Sequence, residues 1–189
     1  SYRYDQPVRG LVQSLRLTPS AHEGQRVGEW SIDVTGGERG AAFRDGAGDW
    51  IEAWTVRGPV DEVTVTISGL IETRDTAGVL RGHRETINPL VYLRDTALTE
   101  PDAALRELAQ SVSGEDALDL AHKLAAAVSE AIAYVPGVTE SVTSDAEALA
   151  LGQGVCQDHA HALIACAHVH GLPARYVSGY LHSNADGTP

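Results

Sequence analysis

The spacing of apolar residues changes once along the chain. Over residues 1–97 they alternate with polar ones in short runs broken by Gly and Pro, which is the pattern of β-strands. YRYDQPV and LVQSLRLTP are β-rich segments closed by Pro7 and Pro19, and VGEWSIDVTGG is a strand ended by a double glycine. DWIEAWTVRGPVDEVTVTISGLIETRD predicts a hairpin, with Gly58-Pro59 near its turn and Val63, Val65 and Ile67 alternating. Several short strands separated by turn signals predict a sandwich or a curled sheet.

After Pro89 the spacing becomes helical, and residues 98–189 form the second predicted domain. In PDAALRELAQSV the apolar positions are Leu105 and Leu108. In GEDALDLAHKLAAAVSEAIAYV they are Leu118, Ala121, Leu124, Ala125 and Val128, with Pro101 and Pro136 as punctuation. SDAEALAL is a short helix with Ser144 as N-cap and Glu147 three residues on, the spacing of a capping box. The next helix runs from Cys156 to His170 and is stopped by Gly171 and Pro173. PARYVSGYL then reads as a strand. The expected fold class is α+β, a β-sandwich-like domain followed by a helical one.

Length and composition narrow the function classes. At 189 residues, 43% of them hydrophobic, the chain can bury a core as one large domain or two small ones. Lys and Arg number 14 against 26 Asp and Glu, a net charge of -12. A surface that acidic repels phosphate backbones and anionic lipid, so neither nucleic acid nor a membrane is an expected partner. No apolar run approaches the roughly 18 residues of a membrane span, and no secretory apolar segment precedes the first strand. Cys156 and Cys166, on one helix, are separated by about 15 Å of rise, beyond the roughly 7 Å a disulfide allows. Two thiols that stay free fit a reducing compartment, and the expected localisation is cytoplasmic.

The candidate chemistry lies in GQGVCQDHAHALIA, residues 152–165. Cys156 is placed at the first turn of its helix, among unpaired backbone N–H groups at the positive end of the helix dipole. Such surroundings raise the thiolate fraction of a cysteine, and the same N–H groups can receive an oxyanion. Gly152 and Gly154 permit a tight turn and a close approach of substrate. Ala160, Leu163 and Ala167 fall within about 40° of Cys156 on a helical projection, so the sulfur is expected at the lip of the core. Spacing alone leaves two readings of Cys156, a nucleophile or a packed core thiol. Cys166, in mid-helix, reads as core.

Histidines cluster in the same region: His159, His161, His168, His170 and His182. His159 falls beside the thiol, while His161 and His168 share an opposite, wetter face with Gln157. Two histidines in an H-x-H pair diverge by about 200° on a helix, and His161 and His168 are about 10 Å apart along it. Neither arrangement can hold one ion, so no metal and no cofactor is expected. Asp158 reads as a helix-start carboxylate favourable to the dipole.

The segment GVCQDHAHALIACAHVHGLPARYVSGYL resembles the nucleophile helix and following strand of the bacterial branch of the transglutaminase-like superfamily. The branch reads G-x-C-x-D-x-A, then a helix, then G-[IL]-P-A-R-x-V-x-G-Y. The matching positions are Gly154, Cys156, Asp158 and Ala160, then Gly171, Leu172, Pro173, Ala174, Arg175, Val177, Gly179 and Tyr180. YRYDQPV, SLRLTPS, WSIDV and DGAGDWIEAW resemble the β-rich region that precedes this core in bacterial members.

The resemblance implies a papain-like core and acyl transfer. A Cys156 thiolate attacks an amide carbonyl, a thioester forms, and water or an amine resolves it. The implied activity is a transglutaminase-like cysteine protease or amidase, hydrolytic rather than cross-linking, with a peptide or amide substrate. The superfamily's histidine and aspartate follow the strand motif, whereas this sequence ends at Pro189. His182 comes too early and lacks the Ala-Trp that follows the superfamily's histidine. The sequence therefore reads as a fragment truncated before the His and Asp of the triad, inactive by itself, and completed by a second copy or a partner chain. The rival reading is a non-catalytic interaction module that keeps the fold and uses Cys156 for packing.

Overall fold

The computed structural model describes residues 1–179 apart from Ala47, Arg84 and Ser141; Tyr180 and His182 lie outside the described residues. The chain divides into two compact units, Ser1–Asn88 and Pro89–Pro189.

The first unit is built of strands. β1 (Tyr2–Leu15), β4 (Trp50–Val63) and β3 (Gly37–Arg44) form an antiparallel sheet in the order β1-β4-β3, and β2 (Gln25–Val34) pairs with β5 (Val65–Thr73). β4 is the central strand. Its Trp54, Val56, Val60 and Val63 are buried with Val34 of β2, and Tyr4, Val8 and Leu11 of β1 pack against them. Spacing by two from Trp54 to Val56 keeps both on the covered face, as a pleated strand requires.

Three sequence expectations are corrected here. Pro7 does not end a strand: β1 runs through it, and the ladder with β4 shifts register between Arg3 and Val8. The β4–β5 segment is not a hairpin. Gly58-Pro59 lies inside β4, opposite Arg9, where Val8 faces Val60 and Gly10 faces Arg57. A bulge accepts a residue without an N–H because the ladder is already interrupted there, so Gly-Pro need not mark a turn. β4 and β5 each pair with an earlier strand instead. β3, GERGAAFR, was not anticipated from its polar, glycine-containing sequence; it is held by its hairpin with β4, where Arg44 pairs with Trp50.

The second unit is helical. After a 3-10 turn at Pro89–Leu93 come α1 (Ala103–Gln110), α2 (Ala117–Ala131), α3 (Asp145–Leu151) and α4 (Cys156–Val169). The two-residue strands β6 (Ala133–Tyr134) and β7 (Gln153–Gly154) pair in parallel. Each of the first three helices starts on a side-chain cap: Asp102 accepts from Leu105 N, Asp116 from Leu118 N and Asp119 N, and Ser144 exchanges bonds with Glu147 in the expected capping box. α4 ends as expected, with Gly171 at φ +70° and Leu172 N donating to the Ala167 carbonyl at 2.9 Å.

α4 packs against α1, α2 and α3. Its Ala162, Ala165 and Cys166 are fully buried with Leu105, Leu124, Val128, Ile132 and Ala148. Among the described residues no helix is long and apolar enough to cross a membrane. Residues 173–179 form no β-ladder, which corrects the strand expected for PARYVSGYL. Alternation alone does not make a strand without a neighbouring ladder, and the segment docks through other contacts.

Candidate active site

α3 closes on Gly152, in the left-handed conformation at φ +64°. A non-glycine residue there would carry strain. The chain then turns through Gln153 and Gly154 into α4. Backbone bonds hold the turn to the end of α2: Ala133 N donates to the Gly152 carbonyl at 2.9 Å, and Val135 N to the Gly154 carbonyl at 2.8 Å. Cys156 is the first residue of α4 and is exposed.

Val155, the N-cap of α4, is extended and has no oxygen with which to cap the helix. The first-turn N–H groups next to the thiol are therefore not capped by the N-cap side chain, unlike those of α1, α2 and α3. Order at this end comes from α4's own Asp158 and His159. Asp158 is fully buried, and its Oδ2 accepts from Val155 N at 2.7 Å and from the Thr139 hydroxyl at 2.6 Å. His159 places Nδ1 at 2.9 Å from the Val155 carbonyl and Nε2 at 2.8 Å from the Ile132 carbonyl. Gln157 Nε2 reaches the Glu140 carbonyl at 3.4 Å. Both backbone groups of Val155 are thus engaged, one residue before the sulfur.

Cys156 does not lie on the packed stripe, which corrects the helical projection. Ala165, at the centre of the buried face, is nine residues on and so about 180° round the helix from Cys156; of the residues projected beside the sulfur, Ala160 and Leu163 are only half-buried and Ala167 alone is buried. α4 carries alanine on all its sides, so small residues could not reveal which side packs. The wetter face assigned to His161, His168 and Gln157 is corrected as well. His161 is buried with its ring 5.5 Å from that of Tyr176, and burial pushes its pKa down. The His168 side chain is enclosed, with Nδ1 2.8 Å from Asp95 Oδ1.

His170 Nε2 lies 2.8 Å from the Ala109 carbonyl, so His159, His168 and His170 all tie elements together. Among the described residues no three His, Cys, Asp or Glu side chains converge as metal ligands would. Cys166 is a core thiol 3.9 Å from the Leu105 carbonyl, and burial raises its pKa to about 11.

The segment after α4 is clasped to the start of the unit. Ala174 N donates to the Tyr92 carbonyl at 3.2 Å, Arg175 donates to the Tyr92 hydroxyl at 2.9 Å, and the guanidinium lies 5.1 Å from the Tyr92 ring centroid. Sequence reasoning did not find this role of Arg175, nor the buried bonding of Asp158. The Asp158 signal was present as a carboxylate three residues after the N-cap, but a capping box is looked for behind Ser or Thr, and here the N-cap is valine.

Residues 1–72 match the bacterial transglutaminase-like N-terminal region, and residues 106–188 match the transglutaminase-like superfamily. The chain belongs to the transglutaminase-like superfamily.

An uncharacterized protein of Mycobacterium leprae is 29% identical over 98% of this chain and 70% of its own length. Uncharacterized proteins of Mycobacterium bovis and Mycobacterium tuberculosis are 28% identical over 95% of this chain and 63% of theirs. A crystal structure from Cytophaga hutchinsonii, of a protein described provisionally as a cysteine protease, superposes with a TM-score of 0.62 at 17% identity. That superposition covers 89% of this chain and 61% of the other, and it shows a shared α+β fold. The chain thus spans about two thirds of the length of these proteins.

Proposed function

We propose that the protein is a cysteine hydrolase that transfers an acyl group from a peptide amide to Cys156 and then to water. The observation that carries this reading is the placement of Cys156: an exposed sulfur on the first residue of α4, behind a turn fixed on both sides of Val155. The Cys156 thiolate would attack the amide carbonyl, and first-turn N–H groups would receive the oxyanion. Collapse of the tetrahedral adduct breaks the C–N bond, and the amine leaves with a proton returned by a histidine. Water, deprotonated by that histidine, then cleaves the thioester. By superfamily resemblance, the histidine and its orienting aspartate would follow the Gly171–Tyr180 motif. His159, His168 and His170 are each bonded to the scaffold, so none of these three is placed as that base.

Hydrolysis is preferred to cross-linking because nothing among the described residues marks a site for a lysine acyl acceptor. The test is amine release from peptide amides by the longest form of the protein, with Cys156→Ala as control and with a primary amine added. Release that needs Cys156 and yields the free acid supports the reading. Release unaffected by Cys156→Ala overturns it, and predominant transfer to the added amine overturns the hydrolytic assignment.

A further inference from the structure

We propose that the hollow between α3 and the segment joining it to β6 is a substrate subsite for a basic side chain, arginine above all. The inference rests on the reading of Cys156 as nucleophile and adds the class of peptide on which it acts. The hollow measures about 360 Å³, at the small end of ligand sites, which suits a side chain rather than a large cofactor. Val138, Val142 and Leu151 line it, and they are 39%, 73% and 52% exposed. Single apolar side chains on a surface are ordinary, but three around one concavity offer contact to an aliphatic stem.

The polar lining sets the charge of the occupant. The Thr139 hydroxyl donates to Asp158 Oδ2 at 2.6 Å, and Thr143 Oγ1 accepts from Glu140 N at 2.9 Å, so both hydroxyls are tied to the scaffold. The charged residues of the lining are Glu140 and Glu147. Ser144 donates to Glu147 Oε2 from its N–H at 2.8 Å and from its hydroxyl at 2.9 Å, and these bonds hold that carboxyl below the usual carboxylate range. Both fall on one oxygen, and the other can accept from a cation. No Lys or Arg is among the described lining residues, and the chain carries a net charge of -12. An aliphatic stem with a cationic head matches both parts of the lining. A guanidinium donates in pairs to a carboxylate, which favours arginine over lysine.

The hollow adjoins the nucleophile. Gln157 Nε2 donates to the Glu140 carbonyl at 3.4 Å, and Thr139 donates to Asp158, so the rim is bonded to the first turn of α4. Gln157 follows Cys156 in the chain, which puts the rim on the order of 10 Å from the sulfur, the length of about three extended residues. A peptide whose carbonyl meets Cys156 can therefore fill the hollow with a side chain within three residues of the bond to be cleaved. A cation held there is engaged by carboxylates at that distance from the sulfur, so it is a recognition contact and not an acyl acceptor.

The test uses the longest form of the protein and iodoacetyl tripeptide amides in which one position carries arginine, citrulline or glutamate and the other two carry alanine. Citrulline keeps the shape of arginine without its charge. Labelling of Cys156 is followed by peptide mapping at about 0.15 M salt, where general attraction to an acidic protein is screened. Each rate is divided by that of iodoacetamide on the same protein. At one or more positions arginine should label about three- to tenfold faster than citrulline, with glutamate slowest. In the double variant Glu140→Gln/Glu147→Gln the gain of arginine over citrulline should vanish. Glutamine also completes a capping box, so α3 keeps its start, and protection of Cys166 shows that the variant is folded. Equal rates for arginine and citrulline at all three positions overturn the inference, as does an arginine gain that survives the double variant. Amine release that needs Cys156 but shows no preference for arginine overturns the subsite alone. An arginine gain that depends on the two glutamates, beside amine release indifferent to Cys156→Ala, overturns the nucleophile reading and with it the substrate assignment.

Discussion

A Cβ placed on Gly154 would lie 2.8 Å from both Cβ and Oδ2 of Asp158. The glycine of the superfamily motif is therefore required by steric contact with the motif's own aspartate, four residues on. Gly154→Ala must displace a carboxylate that holds Val155 N and the Thr139 hydroxyl. The expected cost is about 1–3 kcal/mol of stability, measured by denaturant unfolding. Asp158→Ala should cost a similar amount by leaving two donors unpaired. In the double variant the costs should fall short of additive, because the contact with the carboxylate is gone and only the Cβ–Cβ contact remains.

The two cysteines should separate cleanly under native alkylation. Cys156 is exposed, whereas Cys166 is fully buried and its burial pushes the thiol up to about 11. Intact mass after brief iodoacetamide treatment near neutral pH should show one adduct, mapped to Cys156. A second should appear only after denaturation. Equal modification of both in the native protein would contradict the described core.

Asp145 gives a pH dependence with an unusual sign. Burial raises its folded-state pKa from 3.8 to about 6, with Asp102 and Asp95 adding in the same direction, while its Oδ1 accepts from Ala146 N. The folded state then binds the proton more tightly than the unfolded state. The Asp145 contribution is therefore most favourable below about pH 4 and is lost as pH rises towards about 6, a change on the order of 2 kcal/mol. The stability difference between the parent and Asp145→Asn should shift against the parent across that window and stay level above it. A flat difference from acid to neutral pH would contradict the burial argument.

The clasp on Tyr92 can be dissected. Tyr92→Phe removes the hydroxyl that accepts from Arg175 but keeps the ring under the guanidinium. It should cost about 1 kcal/mol, and Tyr92→Ala distinctly more, because both contacts and the ring's buried area are then lost. Hydrogen exchange at Ala174, whose N–H donates to the Tyr92 carbonyl, should quicken in the alanine variant.

Helix boundaries were legible in the sequence because their signals are local. Ser144 with Glu147, and Gly171 with Pro173, act within one turn of the residues that carry them. Strand pairing was not legible in the same way. Gly58-Pro59 is a turn signal by composition, yet it sits in a bulge of β4 because β1 offers an irregular partner at Arg9. The partner decides, and alternation cannot name it. At the site, the placement of Cys156 at a helix start followed from the Gly-Gln-Gly turn and the apolar run behind it. Its outward direction did not follow, since an alanine-rich helix offers small residues all round. The roles of Asp158 and His159 were hidden because their partners, Thr139 and Ile132, lie about 20 residues or more away in sequence.

The central claim is that Cys156 forms a covalent acyl intermediate. The direct measurement is intact mass and peptide mapping after reaction with an activated acyl ester, on this chain and on the longest form of the protein, beside Cys156→Ser. The account predicts a single acyl group on Cys156 that hydroxylamine removes, as a thioester requires. Its turnover should be faster in any form that also carries the histidine and aspartate of the superfamily. Acyl groups on Lys123 or the terminal amine in place of Cys156, or an adduct that persists in Cys156→Ser, would contradict the account and leave a fold kept for binding.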